Sequence, residues 1–126
     1  MSYQTTTGLQ YDKQHAITLV AADHIEAARF IGYDGNYATG MGGVHDAQGV
    51  SEAPAPKGYA LPCITGYSAL VEAAGPIALG DWVTVTNDGS GRAAVGSNIF
   101  HCGRALGQAS AAGQLVEVQV LPHMYA

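Results

Sequence analysis

The residues with chemical potential in this chain are five histidines, two cysteines and ten acidic side chains, set against only five Lys and Arg. His15, His24, His45, His101 and His123 are scattered, with no HExxH, no HxH and no His–Cys spacing that would close a metal site. His101 and Cys102 are adjacent, but neighbours on a strand point to opposite faces, so they are not expected to share a metal or form a thiolate–imidazole pair. Gly40-Met41-Gly42-Gly43-Val44-His45 carries no following Lys-Ser/Thr and opens no helix, so it is not a phosphate loop. Gly103-Arg104-Ala105-Leu106-Gly107 has no helix of usable length behind it, and glycines there serve turns and close β packing. Ser68, Ser90, Ser97 and Ser110 lie in no nucleophile-elbow context. The carboxylates are spaced as on a solvated surface. The chain is therefore expected not to be an enzyme and to need no cofactor.

Binding is the remaining class of activity, and the charge balance narrows it. The net charge is −5, and Lys13, Arg29, Lys57, Arg92 and Arg104 stand singly, whereas phosphate backbones require clustered cations. Nucleic acid is not expected as a partner on that ground. No apolar run approaches the roughly 18 residues that a membrane helix needs, and no membrane partner is expected. The N-terminus lacks the charged head and apolar run of a signal peptide, so synthesis in the cytoplasm with Cys63 and Cys102 reduced is the expectation.

The 126 residues suffice for one compact domain. Its 21 Ala and 17 Gly, beside two Phe and one Trp, dictate a thin core with backbones in close approach. Charged residues make up 12 % of the chain, about half the usual share of roughly 25 %. A surface so poor in charge is expected to be covered in part by other subunits.

Residues 1–14 form a polar segment carrying Tyr3, Leu9 and Tyr11. It reads either as a loose tail or as an extended arm that orders on a neighbour. From residue 15 onward short β-branched segments alternate with turn signals. Strands are expected at Ala16–Val20, Arg29–Tyr33, Tyr59–Ile64, Tyr67–Glu72, Trp82–Thr86, Arg92–Val95 and Ile99–Leu106. The strictest alternation lies at Leu115–Leu121. Residues 35–58 read as loop, with one short strand near Val44. Such spacing argues for a mainly β domain over 15–126, a small barrel, a clip-like form or a sandwich.

An internal echo strengthens that reading. Ala21-Ala22-x-x-Ile25 recurs 52 residues on as Ala73-Ala74-x-x-Ile77, and Phe30-Ile31 recurs in register as Trp82-Val83. A fainter third copy parallels Gly80–Val85 at Gly113–Val118. A repeated turn-plus-strand unit implies a pseudo-symmetric β structure. Trp82 falls on the face opposite Val83 and Val85, in the core or at a subunit interface.

The order ITLVAADHIEAARFIGYDG, then GYSALVEAAGPIALGDWVTVTNDGSGRAA, then GRALGQASAAGQLVEVQVLP resembles the capsid decoration (cement) proteins of tailed bacteriophages, across about residues 14–122. The landmarks are Val71-Glu72-Ala73-Ala74-Gly75-x-Ile77-x-x-Gly80-Asp81, Gly103-Arg104-Ala105-Leu106 and Ala111 to Val118. The Pro54-Ala55-Pro56 loop and the tyrosine-bearing arm depart from that pattern. The resemblance implies a protein on the outer surface of the assembled head that bridges neighbouring major capsid subunits, commonly as a homotrimer. Tyr3, Leu9, Tyr11 and Trp82 are the candidate interface residues. A carbohydrate-binding β module of a phage tail, fibre or cell surface is the competing expectation.

Overall fold

The computed structural model describes residues 16–40 and 42–125. The expected arm, and with it Tyr3, Leu9 and Tyr11, lies outside the described residues. Nine strands form: β1 (Ala16–Val20), β2 (Phe30–Gly32), β3 (Ala47–Ser51), β4 (Ala60–Ile64), β5 (Ser68–Glu72), β6 (Trp82–Val85), β7 (Ala93–Val95), β8 (Phe100–Ala105) and β9 (Leu115–Tyr125). A single 3-10 turn at Gly43–His45 is the only helical element among the described residues. The chain is mainly β, as its pattern of short alternating segments implies.

The strands make two antiparallel sheets, ordered β1-β4-β3-β2 and β5-β9-β8-β6-β7. These are the same sheet built twice. β1 pairs with β4 from Ala16↔Ile64 to Val20↔Ala60, and β5 pairs with β9 from Ser68↔Gln119 to Glu72↔Leu115. Phe30↔Val50 and Ile31↔Gly49 in the first sheet answer to Trp82↔Arg104 and Val83↔Gly103 in the second. Val50↔Ile64 and Ser51↔Cys63 answer to Arg104↔Gln119 and Ala105↔Val118. Each of these pairs maps when the 52-residue offset grows by two at β3/β8 and by three at β4/β9. β7 is the addition on the second sheet.

The loops repeat as faithfully as the strands. Ile25 and Ala55 exchange N–H···O=C bonds at 2.9 Å, and Ile77 and Ala109 do the same. Ala21 donates to Tyr59 O and accepts from Gly58 N–H, while Ala73 donates to Gln114 O and accepts from Gly113 N–H. The small side chains of the Ala-Ala-x-x-Ile echo are thus required where two backbones meet. The fainter third echo is not a third unit: Gly113–Val118 leads into β9, which holds the place of β4 and not that of β2.

Each unit has its own apolar centre. In the first module (16–64) it comprises Ala21, Ile25, Ile31, Ala55, Leu61 and Cys63. In the second (68–120) the equivalents Ala73, Ile77, Val83, Ala109, Val116 and Val118 are buried. The opposite face of the first sheet presents Phe30, Val50 and Ile64, and these join the second module's cluster with Ala69, Val71 and Val85. Burying Phe30 alone is worth roughly 1.5–3 kcal/mol. Arg29 locks the junction: its Nη1 donates to Ser90 O at 2.8 Å and its Nη2 to Glu72 at 3.4 Å, with Arg92 Nε 2.8 Å from the same carboxylate.

Two local expectations are corrected. Residues 35–58 are not mainly loop with a strand near Val44; Val44 sits in the 3-10 turn, and the strand is β3, an interior member of its sheet. Ala-Gln-Gly-Val-Ser has weak β propensity, and Gly49 is there because Ile64 and Cys63 of β4 pass too close for any side chain. β9 also runs four residues beyond Leu121, where Phe100↔Tyr125 and His101↔Met124 extend the ladder.

Candidate functional site

Among the described residues no three His, Cys, Asp or Glu side chains gather as a metal site, and no helix is long and apolar enough to cross a membrane. Cys63 and Cys102 are unpaired and buried in different clusters. Burial pushes both thiols up to about 12, so they stay protonated near neutral pH and pack as small apolar groups. The histidines spread over separate carboxylates: His24 on Glu26, His45 on Asp34 and His123 on Asp46.

The duplication itself points to the distinctive surface. Phe30 and Val50 of the first module face inward and are covered by the second. Their counterparts, Trp82 and Arg104, face outward on the second sheet. Trp82 is half-buried and stands opposite Val83 and Val85, as its alternation requires. Arg104 Cζ lies 4.3 Å over the indole, and the His101 ring centroid lies 4.3 Å from it at a tilt of 31°. Arg104 Nε donates to Gly80 O at 3.0 Å, while His101 Nδ1 lies 3.1 Å from Ser97 O. The guanidinium and imidazole are each held by a backbone carbonyl, and both pack against the tryptophan.

The register of β8 against β9 shifts between His101 and Gly103, where β9 holds two residues more than β8 between paired positions. The ladder is irregular there, and two β8 positions three apart come to share a face. His101 and Arg104 both reach Trp82, while Cys102 points into the core. Sequence alternation located Trp82 correctly but gave no sign of the register shift, and therefore none of its two partners. Cation–π contacts of this kind contribute roughly 0.5–2 kcal/mol, and aromatic–Arg groups on an outer face are the usual anchors of protein interfaces.

A second cluster gathers on the extension of β9. His123 stacks on Tyr125 (centroids 5.5 Å apart), meets Tyr33 edge-on at 6.1 Å, and lies 3.4 Å from the Asp46 carboxylate. It ties the extension of β9 to the 33–46 loop of the first module. Beside it an open recess of about 430 Å³ is lined by Thr39, Thr84, Thr86, Asn87, Phe100 and Tyr125.

No curated protein matches this sequence. The crystal structure of the head fiber gp8.5 N base of bacteriophage phi29 is similar in fold, with a TM-score of 0.62 and 18 % identity, over 88 % of this chain and 97 % of that one. A family model described as phage cement protein matches residues 11–120.

Proposed function

The chain belongs to the phage cement protein family, and from that premise we propose that it decorates the outer surface of the assembled head, bridges neighbouring major capsid subunits and stabilises the shell. It is a structural phage head protein and a component of the virion. The finer reading is that it is made in the host bacterial cytoplasm, acts as a homotrimer, and divides into an attachment arm at residues 1–14 and a β domain at 15–126. Tyr3, Leu9 and Tyr11 are the arm's contacts with capsid or neighbouring subunit, and Trp82 is the domain's.

The observation that carries the reading is the inversion at Trp82. The same module position is a buried Phe30 in one unit and an outward Trp82 braced by Arg104 and His101 in the other. A scaffold that spends its largest aromatic on an outer face has placed an anchor there. Low charge suits a surface that contacts protein over much of its area, and acidity suits a protein kept away from packaged DNA. Many modest sites repeated over a lattice stabilise it through mass action and avidity, because each binds assembled shell and not free subunits.

The test is co-sedimentation of the purified protein with heads stripped of it. Saturable binding at a copy number set by the lattice is expected. Trp82→Ala should weaken it about 10- to 100-fold while the domain stays folded, the range for loss of one aromatic anchor. Removal of residues 1–14 should also weaken attachment without unfolding the domain. Full-length protein remaining in the supernatant would refute the decoration role. The recess beside Tyr125, with hydroxyl and amide side chains next to Phe100, then makes sugar binding the reading to pursue, by fluorescence titration with polysaccharide.

A further inference from the structure

The two modules touch through equivalent-module surfaces that are each used only once. The first module contributes the turn at Ala27 and Ala28, the end of β3 at Ser51 and Glu52, and Ile64. The second contributes Ala69, Leu70 and Leu115, across a small apolar recess. The contact is sealed when Glu72 N–H donates to Ala28 O at 2.8 Å. The chain therefore has a second copy of each surface left over, on the far side of each module.

The leftover copies carry Gln119, Thr18 and Ala60 in place of Ile64, Leu70 and Leu115, but each also exposes two large apolar side chains. On the second module, the positions of Ala27 and Glu52 are taken by Leu79 and Leu106, which are 69 % and 45 % exposed. On the first module, the positions of Ala69 and Glu72 are taken by Ile17 and Val20, 41 % and 67 % exposed, although Ala69 itself is 1 % exposed. Ile17 and Val20 lie on β1, the edge of its sheet. Edge strands with apolar side chains are surfaces that require cover.

We infer that the contact between the modules of one chain is repeated between chains, with Leu79 and Leu106 of one copy receiving the edge of β1 of the next, where Ile17 flanks the edge on one face and Val20 on the other. The inference rests on the homo-oligomer part of the proposed function and not on capsid attachment. Charge does not oppose the contact. The Arg29–Glu72 pair of the intramolecular version becomes Asp81 and Val20, and the Asp81 carboxylate is already satisfied by Ala78 N–H at 2.9 Å. Gly80 stands where Ala28 does, and its carbonyl accepts from Arg104 Nε. A carbonyl has a second lone pair, which can take the Val20 N–H as Ala28 takes that of Glu72. Such a contact joins two different surfaces, head to tail, and closes into a ring when its rotation allows. A ring of three is the form the homotrimer reading requires.

The test uses sedimentation velocity on the intact chain across a concentration series, beside a Leu79→Asp/Leu106→Asp double variant. Both leucines are exposed, so the variant should keep the native circular-dichroism spectrum and a cooperative melt, at a Tm lowered only by the loss of association. The native chain should sediment as a multimer and the variant as a monomer. Separate Val20→Cys and Leu79→Cys chains, treated with a short thiol crosslinker, should join when mixed and not when alone, since Cys63 and Cys102 are buried. A native chain that stays monomeric throughout would overturn both this inference and the homo-oligomer reading. A multimer indifferent to the double variant, or Val20→Cys chains that crosslink to themselves, would overturn this surface and leave oligomerisation standing.

Discussion

Gly49 and Gly103 occupy the same place in the two modules, and replacing them tests whether close backbone approach dictates the composition of the chain. A Cβ at Gly49 would stand 2.4 Å from Ile64 O and 2.7 Å from Cys63 Sγ. Carbon–oxygen contacts between strands normally lie at about 3.3–3.6 Å, so β3 and β4 would have to part by close to an ångström. The obstacle is backbone in the paired interior of a sheet, with Leu61 and Cys63 packed beneath it, and no rotamer change relieves it. Overpacking costs roughly 1–3 kcal/mol, and a rigid obstacle places Gly49→Ala at the upper end, about 3 kcal/mol. For a chain of this size that lowers Tm by about 10 °C or more. Gly103→Ala meets a Val118 methyl at 2.4 Å and Gln119 O at 2.7 Å. One of those is a side chain that can shift, so about 2 kcal/mol is expected. Gly75→Ala is the control: nothing lies within 4 Å of its Cβ, and a gain of about 0.5 kcal/mol through a stiffer unfolded chain is expected. Calorimetric or circular-dichroism melts give all three values. A Gly49→Ala protein within about 1 kcal/mol of the native chain would refute the reasoning, because the modules would then not depend on that approach.

Ala28 and Gly80 are equivalent residues that both adopt positive φ, 62° and 86°. Gly80→Ala, with open space around its Cβ, should cost about 1 kcal/mol from the left-handed backbone alone, and Ala28→Gly should gain a few tenths by relieving the same strain; urea titration measures both. Cys63 and Cys102 should resist a maleimide reagent at pH 8 in the folded protein and react on unfolding, since their thiols titrate near 12. Hydrogen bonds from Ser90 and Thr86 hold the Asp88 carboxyl down at about 2. Its folded value lies below its unfolded one, so whatever it adds to the 86–90 turn is complete above about pH 4 and fades as pH falls through 2, which NMR titration of that turn resolves.

How much of this was legible beforehand depends on how local the cause is. The alternation of Trp82–Val85 and Leu115–Leu121 fixes their buried faces because each side chain answers to a single sheet. The Ala-Ala-x-x-Ile echo revealed the duplication because small residues are forced where Ala21 meets Tyr59 and Ala73 meets Gln114. The echo fades beyond Ile31 and Val83 because insertions shift the offset twice, and because Phe30 and Val50 face a neighbour where Trp82 and Arg104 face outward. β3 carries no strand signal of its own, because its weak strand propensity is overridden by its partners on both sides. The Trp82–Arg104–His101 stack depends on a register shift between two strands, which one strand's sequence does not announce.

The pairing of one apolar face with one outward face also governs how the chain comes off the ribosome. The first module completes its ladder at Ile64 with Phe30 and Val50 still bare, and the residues that cover them, Ala69, Val71 and Val85, have yet to be synthesised. In a chain that folds module by module, synthesis at about 5–20 residues per second would leave that face open for several seconds. The second module supplies the cover and, facing outward with Trp82 and Arg104, leaves no such debt behind it. The order of the two copies is therefore directional: exchanging them would put the amphipathic face where a core is needed and leave the greasy one without a successor.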